Sequence, residues 1–204
     1  MNLVCVAYKG GVGKTTTAVA IAHVGAETSP PVLLVDADPQ GSAFSWSERA
    51  QEAGHPLACA TVALPTSNLP GRLSALGADR YALAVIDCPP GAGSIVAGAL
   101  SAADLAILPT KPTTADLDRL WPTVEAAQKA GVPALVVLTM ARLGTRSIEA
   151  AREALSADGV TVARTVFPLR ENIAQAFGLP PSGTLATLGA DLLAEALALV
   201  EADL

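Results

Sequence analysis

The apolar residues of the chain form seven short runs, separated by longer Ala-rich segments in which apolar positions recur with helical spacing. The runs are rich in Val, Leu and Ile and cover residues 2–7, 32–36, 57–64, 82–87, 105–109, 134–139 and 160–167. Continuous apolar runs of this length are typical of strands that are covered on both faces of a mostly parallel sheet. We therefore predict seven buried strands.

Helices are predicted in the segments between and after these strands. They cover residues 15–25, 43–53, 68–77, 94–103, 114–130, 146–157, 171–177 and 187–202. Strands that alternate with helices favour an α/β class with a doubly wound, mostly parallel sheet and helices on both of its faces. Because no linker, charge block or internal repeat divides the sequence, we expect one domain over residues 1–204.

Composition excludes several classes of protein. Hydrophobic residues make up 51% of the chain and charged residues 16%, so a chain of 204 residues can bury its core without disulfides or metals. Cys5, Cys59 and Cys88 are widely spaced, which predicts buried free thiols in a reducing cytosol rather than a zinc site. No run approaches the 18 consecutive apolar residues of a membrane span. The net charge of −6 argues against constitutive binding of nucleic acid.

A glycine-rich segment with two lysines joins the first predicted strand to the first predicted helix. The candidate phosphate-binding residues in it are Lys9, Gly10, Gly11, Val12, Gly13, Lys14, Thr15 and Thr16. Glycines let successive backbone N–H groups surround phosphate oxygens, and the start of the helix adds its positive dipole. Lys14 would contact the β- and γ-phosphates, and the Thr15 hydroxyl would ligate Mg²⁺. A dinucleotide fingerprint is a poor alternative, because its third glycine would fall at Thr16.

The Lys-Gly-Gly-x-Gly-Lys-Thr-Thr pattern resembles the deviant Walker A motif of the ParA/MinD ATPases, and most closely that of small ParA proteins without an N-terminal helix-turn-helix domain. This resemblance implies a P-loop NTPase fold, ATP and Mg²⁺ as cofactors, and a homodimer that sandwiches two ATP molecules. It also implies that Lys9 acts in trans, on the nucleotide of the partner subunit, in a role comparable to that of an arginine finger.

Carboxylates end two of the predicted strands, at the edge of an open α/β sheet where ligands bind. Asp36 and Asp38 follow the second strand in a segment that resembles the family's Asp-x-Asp-Pro-Gln switch. That match implies that Asp38 orients the attacking water and that Asp36 orders water on Mg²⁺. Asp87 ends the fourth strand as a Walker B carboxylate does, and binds Mg²⁺ directly or through water.

Two later segments extend the resemblance. Residues 105–113 end a strand with paired prolines, as family members do at the edge of the dimer interface. Residues 167–172 resemble the segment whose backbone abuts the adenine, which makes Phe167 and Pro168 candidate nucleotide-binding residues. The strand end at Thr139 and Met140 carries no Asn, although relatives often place one there. ATP is therefore implied by the family rather than by a base-reading motif.

Arginines are concentrated in the C-terminal part of the chain. Candidate DNA contacts are Arg142, Arg146, Arg152 and Arg170, in a window whose local charge is positive. Small ParA relatives bind DNA non-specifically through such residues as ATP dimers, which doubles the phosphate contacts. The resemblance thus implies a cytoplasmic, nucleoid-associated partition ATPase, stimulated by a ParB-like adaptor that binds a centromere site. The last residues carry acids and no bases, which argues against a membrane-targeting helix.

Other functions share parts of this pattern. A ParA-like ATPase that positions a protein complex or an organelle would have the same loop and switches, with a different adaptor. A small-molecule phosphotransferase or synthetase with a related P-loop would need a pocket with its own cations and would not need Lys9 in trans. A nucleotide-binding module without turnover is disfavoured by Asp38.

Overall fold

A computed structural model describes residues 1–202 and contains a seven-stranded sheet in which every pairing is parallel. The strands are β1 (Asn2–Cys5), β2 (Val32–Asp36), β3 (Ala60–Ala63), β4 (Leu83–Asp87), β5 (Leu105–Thr110), β6 (Ala134–Ala141) and β7 (Val162–Pro168). Their order in the sheet is β3-β2-β4-β1-β5-β6-β7. The predicted α/β class and parallel sheet are confirmed.

Helices cover both faces of this sheet. They are α1 (Lys14–Thr28), α2 (Ser42–Glu52), α3 (Leu69–Ala75), α4 (Ser94–Leu100), α5 (Thr114–Asp118), α6 (Trp121–Lys129), α7 (Arg146–Ala157), α8 (Glu171–Ala174) and α9 (Gly183–Ala202). One core packs α1, α2 and α9 on the sheet, and a second core packs α3, α4, α6 and α7 on the other face. The central strands are buried from both sides, which explains their continuous apolar sequences.

Several of the predicted element boundaries are wrong. The single helix predicted over 114–130 is two helices, because Pro122 lies in the first turn of α6, where a missing N–H costs no helical hydrogen bond. The strand predicted over 57–64 is limited to Ala60–Ala63, at the edge of the sheet. The final helix begins at Gly183 rather than at residue 187, and α8 ends at Ala174 rather than at residue 177.

Helix α9 packs closely on α1. A Cβ added at Gly189 would lie 2.8 Å from the backbone oxygen of Ala20, so a larger residue there would force the two helices apart. Residues Leu192, Leu193 and Ala196 of α9 are buried in the same interface. By length and composition alone, α9 is also apolar enough to cross a membrane, with a mean hydropathy of 1.5. The absence of a membrane partner stays a prediction.

The outer edge of β7 is occupied by two charged side chains. Arg152 of α7 donates to the carbonyl oxygens of Ala163 (2.6 Å) and Arg164 (2.8 Å). Glu195 of α9 accepts from the backbone N–H groups of Arg164 (2.6 Å) and Thr165 (2.8 Å). These contacts satisfy groups that an edge strand otherwise leaves open to pairing with another chain.

Candidate functional site

The predicted site residues meet at the carboxyl ends of three neighbouring strands. β4 lies between β1 and β2, with Asp87 in register with Cys5 on one side and with Asp36 on the other. The loop that follows β1 therefore begins beside two carboxylates. This loop leads into α1. The sheet therefore brings Asp36, Asp87, the glycine-rich loop and the start of α1 close together.

The loop itself has the backbone conformation of a phosphate cradle. Gly11 (φ 68°) and Gly13 (φ 87°) adopt left-handed conformations that other residues rarely reach, and Lys14 starts α1 directly after them. The Thr139 hydroxyl bonds to the carbonyl oxygens of Val12 (2.8 Å) and Thr110 (3.1 Å), which anchors the loop to β5 and β6. The first N–H groups of α1 have no helical partner, and they suit an anion.

Lys14, Thr15 and Asp87 form the buried base of the site. The Thr15 hydroxyl donates to Oδ2 of Asp87 (2.7 Å). Burial raises the pKa of Asp87 to about 7, although the hydrogen bond from Thr15 acts in the opposite direction. Lys14 is 7% exposed, and burial lowers its pKa despite the attraction of Asp87.

This base fits a magnesium ion. Oδ1 of Asp87 is buried and has no hydrogen-bond partner among the described residues, so it is available to a metal-bound water. Mg²⁺ uses one or two carboxylates together with substrate phosphates and waters, rather than an all-protein cage. Accordingly, residues 1–202 contain no group of three His, Cys, Asp or Glu side chains that could hold a metal by themselves.

Asp36 holds the switch segment that carries Asp38. Asp36 is fully buried, and its two oxygens accept from the N–H groups of Asp38 (3.0 Å) and Phe44 (2.8 Å). Burial raises the pKa of Asp36, while these backbone hydrogen bonds act to lower it. Asp38 is only partly buried and accepts from the N–H of Gln40 (2.9 Å). The geometry therefore gives Asp36 a positioning role, and its predicted contribution to Mg²⁺ stays a prediction.

Lys9 forms an ion pair with Asp116 of α5, within its own chain. The Lys9 side chain is 32% exposed and that of Asp116 is 6% exposed. Burial acts to raise the pKa of Asp116, but the hydrogen bonds from Lys9 and Thr113 outweigh it and lower the pKa. The adjacent N–H of Tyr8 donates to the Thr123 hydroxyl of α6 (2.9 Å). Two contacts thus tie the start of the phosphate loop to α5 and α6.

A pocket of about 410 Å³ extends from the phosphate loop to the end of β7. It is lined by Gly13, Thr15, Thr16, Thr17, Ser42, Trp46, Thr139, Met140, Phe167, Pro168, Leu169, Arg170, Ile173, Ala174 and Phe177. The predicted nucleotide-binding residues Phe167 and Pro168 therefore share one cavity with the loop residues Gly13 and Thr15. A nucleotide whose phosphates lie at the loop would place its nucleoside in this pocket.

Residues 3–180 match the family described as the CobQ/CobB/MinD/ParA nucleotide binding domain. The chain belongs to this family. It is a ParA/MinD-like member.

Three relatives illustrate the similarity. The maintenance of carboxysome distribution protein A of Gloeobacter kilaueensis is 45% identical over 149 residues, which are 72% of this chain and 65% of that protein. The chromosome partitioning protein ParA of Caulobacter vibrioides is 28% identical over an alignment of 220 positions, which covers 84% of this chain and 82% of that protein. The septum site-determining protein MinD of Pyrococcus horikoshii, solved with Mg-ADP, has a TM-score of 0.77 at 22% identity and covers 96% of this chain and 95% of that one. The chain spans about half the length (51%) of two further curated ParA-type relatives.

The candidate DNA contacts of this ParA/MinD-like chain fall into two groups. Arg142, Arg146 and Arg170 are exposed. The N–H of Leu169 donates to the carbonyl of Ala141 (2.8 Å), which joins the loops that carry Arg142 and Arg170. Arg152 differs, because its guanidinium is bound to the edge of β7. DNA binding by these residues stays a prediction.

Several residues of the site were missed by sequence reasoning. Asp116 lies 107 positions from Lys9, and no motif in the sequence links them. No motif in the sequence marks Phe177, which is 40% exposed and lines the pocket. Trp46 is 2% exposed and also lines the pocket.

Proposed function

We propose that this chain binds and hydrolyses ATP in the presence of Mg²⁺. The observation that carries the proposal is the unpartnered buried oxygen of Asp87, next to Thr15 and Lys14 at the start of α1. Lys14 and the loop N–H groups bind the β- and γ-phosphates, and Asp87 and Thr15 hold Mg²⁺. When bound, Mg²⁺ neutralises charge on the transferring phosphate. Asp38, on the segment fixed by Asp36, orients the attacking water.

ATP binding also controls dimerisation in this proposal. Two chains face each other through their phosphate loops, and Lys9 of each contacts the nucleotide of the other subunit. The pair between Lys9 and Asp116 must open before this contact can form. Its opening costs free energy that the γ-phosphate of the opposite nucleotide offsets, so the dimer population follows the nucleotide state.

The dimer binds DNA without sequence specificity, through Arg142, Arg146 and Arg170. A single chain offers few phosphate contacts against a net charge of −6, and the dimer doubles them. We infer a cytoplasmic, nucleoid-associated ATPase that segregates a plasmid or other replicon. A ParB-like adaptor bound at a centromere site would stimulate hydrolysis and release the dimer.

A second candidate function keeps this cycle and changes the cargo. The 45% identity to a protein named for carboxysome distribution favours the positioning of a large protein assembly. The adaptor would then bind that assembly instead of a centromere. ATP hydrolysis measured with each type of purified adaptor distinguishes the two functions. The adaptor of the true cargo accelerates ATP hydrolysis, and the other adaptor does not. The small-molecule phosphotransferase alternative has less support, because it needs a pocket with its own cations and the described residues that line the pocket include one charged side chain, that of Arg170.

The test compares ATP hydrolysis, ATP-dependent dimerisation and DNA co-sedimentation in the wild type and in matched variants. Lys9→Ala should bind nucleotide but lose ATP-dependent dimerisation and hydrolysis. Asp38→Ala should dimerise and stay on DNA without hydrolysis. The controls are Lys129→Ala and Asp104→Asn, which remove one exposed charge each at a distance from the loop.

DNA binding is tested by combining Arg142→Ala and Arg146→Ala, which lie outside the lining of the pocket, with Arg72→Ala and Arg80→Ala as a control pair on exposed positions of other elements. The first set should weaken co-sedimentation, and the control pair should leave it unchanged. Two results would refute the proposed cycle: DNA binding that does not depend on ATP, or a Lys9→Ala variant that dimerises and hydrolyses ATP as the wild type does.

A further inference from the structure

The end of the pocket distant from the phosphate loop is lined almost entirely by apolar side chains. These are Met140, Phe167, Pro168, Leu169, Ile173, Ala174 and Phe177. No Asn, Gln, Asp or Glu side chain is among the described residues that line the pocket. A carboxamide or carboxylate at this end would read the hydrogen-bonding edge of a base, and this chain offers none.

Two polar side chains of the lining, those of Thr139 and Trp46, are already engaged. The Thr139 hydroxyl bonds to the carbonyls of Val12 and Thr110, and the indole N–H of Trp46 donates to the carbonyl of Leu179 (2.7 Å). Arg170 is the one charged residue among the described residues that line this pocket. Apart from Arg170, the side chains at this end therefore offer a base apolar contact rather than hydrogen bonds.

Phe177 is the ring that the structure makes available. It is 40% exposed and lines the pocket, although a phenylalanine normally gains free energy from burial. The centroid of the Phe177 ring lies 5.3 Å from that of the Trp46 ring, at an interplanar angle of 55°. The guanidinium carbon of Arg49 lies over the Phe177 ring, 5.1 Å from its centroid. These two contacts hold the ring in place before any ligand binds, which lowers the entropic cost of stacking.

We propose that Phe177 is the wall against which the base of the bound nucleotide stacks, and that this contact favours purines over pyrimidines. The proposal rests on the nucleotide binding proposed above and deepens it. Stacking depends on ring area and not on the pattern of donors and acceptors, so adenine and guanine benefit alike. A pyrimidine has a smaller ring and benefits less.

The experiment measures binding by isothermal titration calorimetry in Mg²⁺ with ADP, GDP, CDP and inorganic pyrophosphate. Phe177→Leu keeps an apolar side chain and removes the ring, and Phe177→Tyr keeps the ring. Leu143→Ala is the control, because Leu143 is 55% exposed and lies outside the lining of the pocket. Thermal unfolding of each variant checks that the fold is intact.

Phe177→Leu should weaken ADP and GDP by the same factor, between about 5-fold and 150-fold, and should weaken CDP less. Pyrophosphate affinity should not change. Phe177→Tyr and Leu143→Ala should bind ADP as the wild type does. Equal losses for ADP and pyrophosphate, or an unchanged ADP affinity in Phe177→Leu, overturn the proposal while the proposed function stands. A wild-type chain that binds neither the nucleotides nor pyrophosphate overturns both.

Discussion

Lys9 and Asp116 form an ion pair that joins the phosphate loop to α5 in the same chain. Asp116 is buried and is fixed from the other side by the Thr113 hydroxyl, which donates to its second oxygen (2.6 Å). The carboxylate is therefore held in place, whereas the lysine side chain is long and partly exposed. In this state Lys9 points its charge at its own chain and is not available to a partner subunit.

Asp116→Asn should strengthen ATP-dependent dimerisation, because an amide cannot retain Lys9 by charge. Two such pairs open for each dimer that forms, and a partly exposed pair of this kind is worth about 1 kcal/mol, so the dissociation constant should fall roughly 30-fold. Sedimentation equilibrium with a non-hydrolysable ATP analogue measures this change. Asp118→Asn, on the exposed side of the same helix, is the control. A variant that dimerises no more tightly than the wild type contradicts the prediction.

Met140→Asn should increase the free energy of unfolding by about 0.5–1 kcal/mol. Met140 has a φ of 48°, a left-handed conformation that is strained for most side chains and that Asn tolerates better. Its side chain is 38% exposed, so little packing is lost. Urea denaturation measures the change, and Leu143→Asn, without a positive φ, is the control. An unchanged or lower stability in Met140→Asn would count against strain at this position.

His23 should make the fold less stable in mildly acidic solution. Its Nδ1 accepts from the N–H of Ala58 (3.0 Å), which requires the neutral ring. Burial lowers its pKa, although the carboxylate of Glu27, 3.7 Å from Nε2, acts in the opposite direction. The unfolded chain therefore takes up this proton first, and stability falls as the pH drops below about 6.5, by at most about 1.4 kcal/mol per pH unit.

The variant His23→Gln tests this source of acid sensitivity, since its amide oxygen can accept from Ala58 without titrating. Urea denaturation across the range from pH 7.5 to pH 5 should show a smaller loss of stability in the variant than in the wild type. His55→Gln, at an exposed position, is the control. Identical pH profiles for the wild type and His23→Gln would remove His23 as the cause.

Glu195→Gln should destabilise the contact between α9 and β7 by about 1–3 kcal/mol, because two backbone N–H groups and the Thr165 hydroxyl lose a charged acceptor. Burial acts to raise the pKa of Glu195, but these hydrogen bonds outweigh it and lower the pKa. The stabilisation is therefore present above about pH 4.3 and is lost as the pH falls through the lowered pKa. Denaturation at pH 7 and pH 3.5 measures both effects. Asp191→Asn on the same helix should have little effect.

The sequence by itself determined the elements whose signal is local. Seven apolar runs correspond to seven parallel strands. The inner strands β2, β4 and β5 are apolar because they are buried on both faces, whereas the edge strand β3 is partly exposed and was wrongly predicted to be buried. Gly11 and Gly13 allow the left-handed conformations of the loop before α1, since glycine adopts them more readily than other residues. That this loop binds phosphate stays a prediction. Asp36 and Asp87 were placed at strand ends correctly, because parallel strands bring their carboxyl ends to one edge of the sheet.

Only the tertiary structure decided the contacts between residues that are distant in the chain. Asp116 meets Lys9 because β5 lies beside β1, and no local pattern encodes that pairing. Arg152 looks like a surface cation in the sequence, but the fold places it against the carbonyls of an edge strand. Phe177 looks like a core residue, yet it stays partly exposed where the loop after α8 passes the pocket. Side-chain chemistry is set by the sequence, whereas exposure and partners depend on packing over long range, which only the assembled sheet and helices specify.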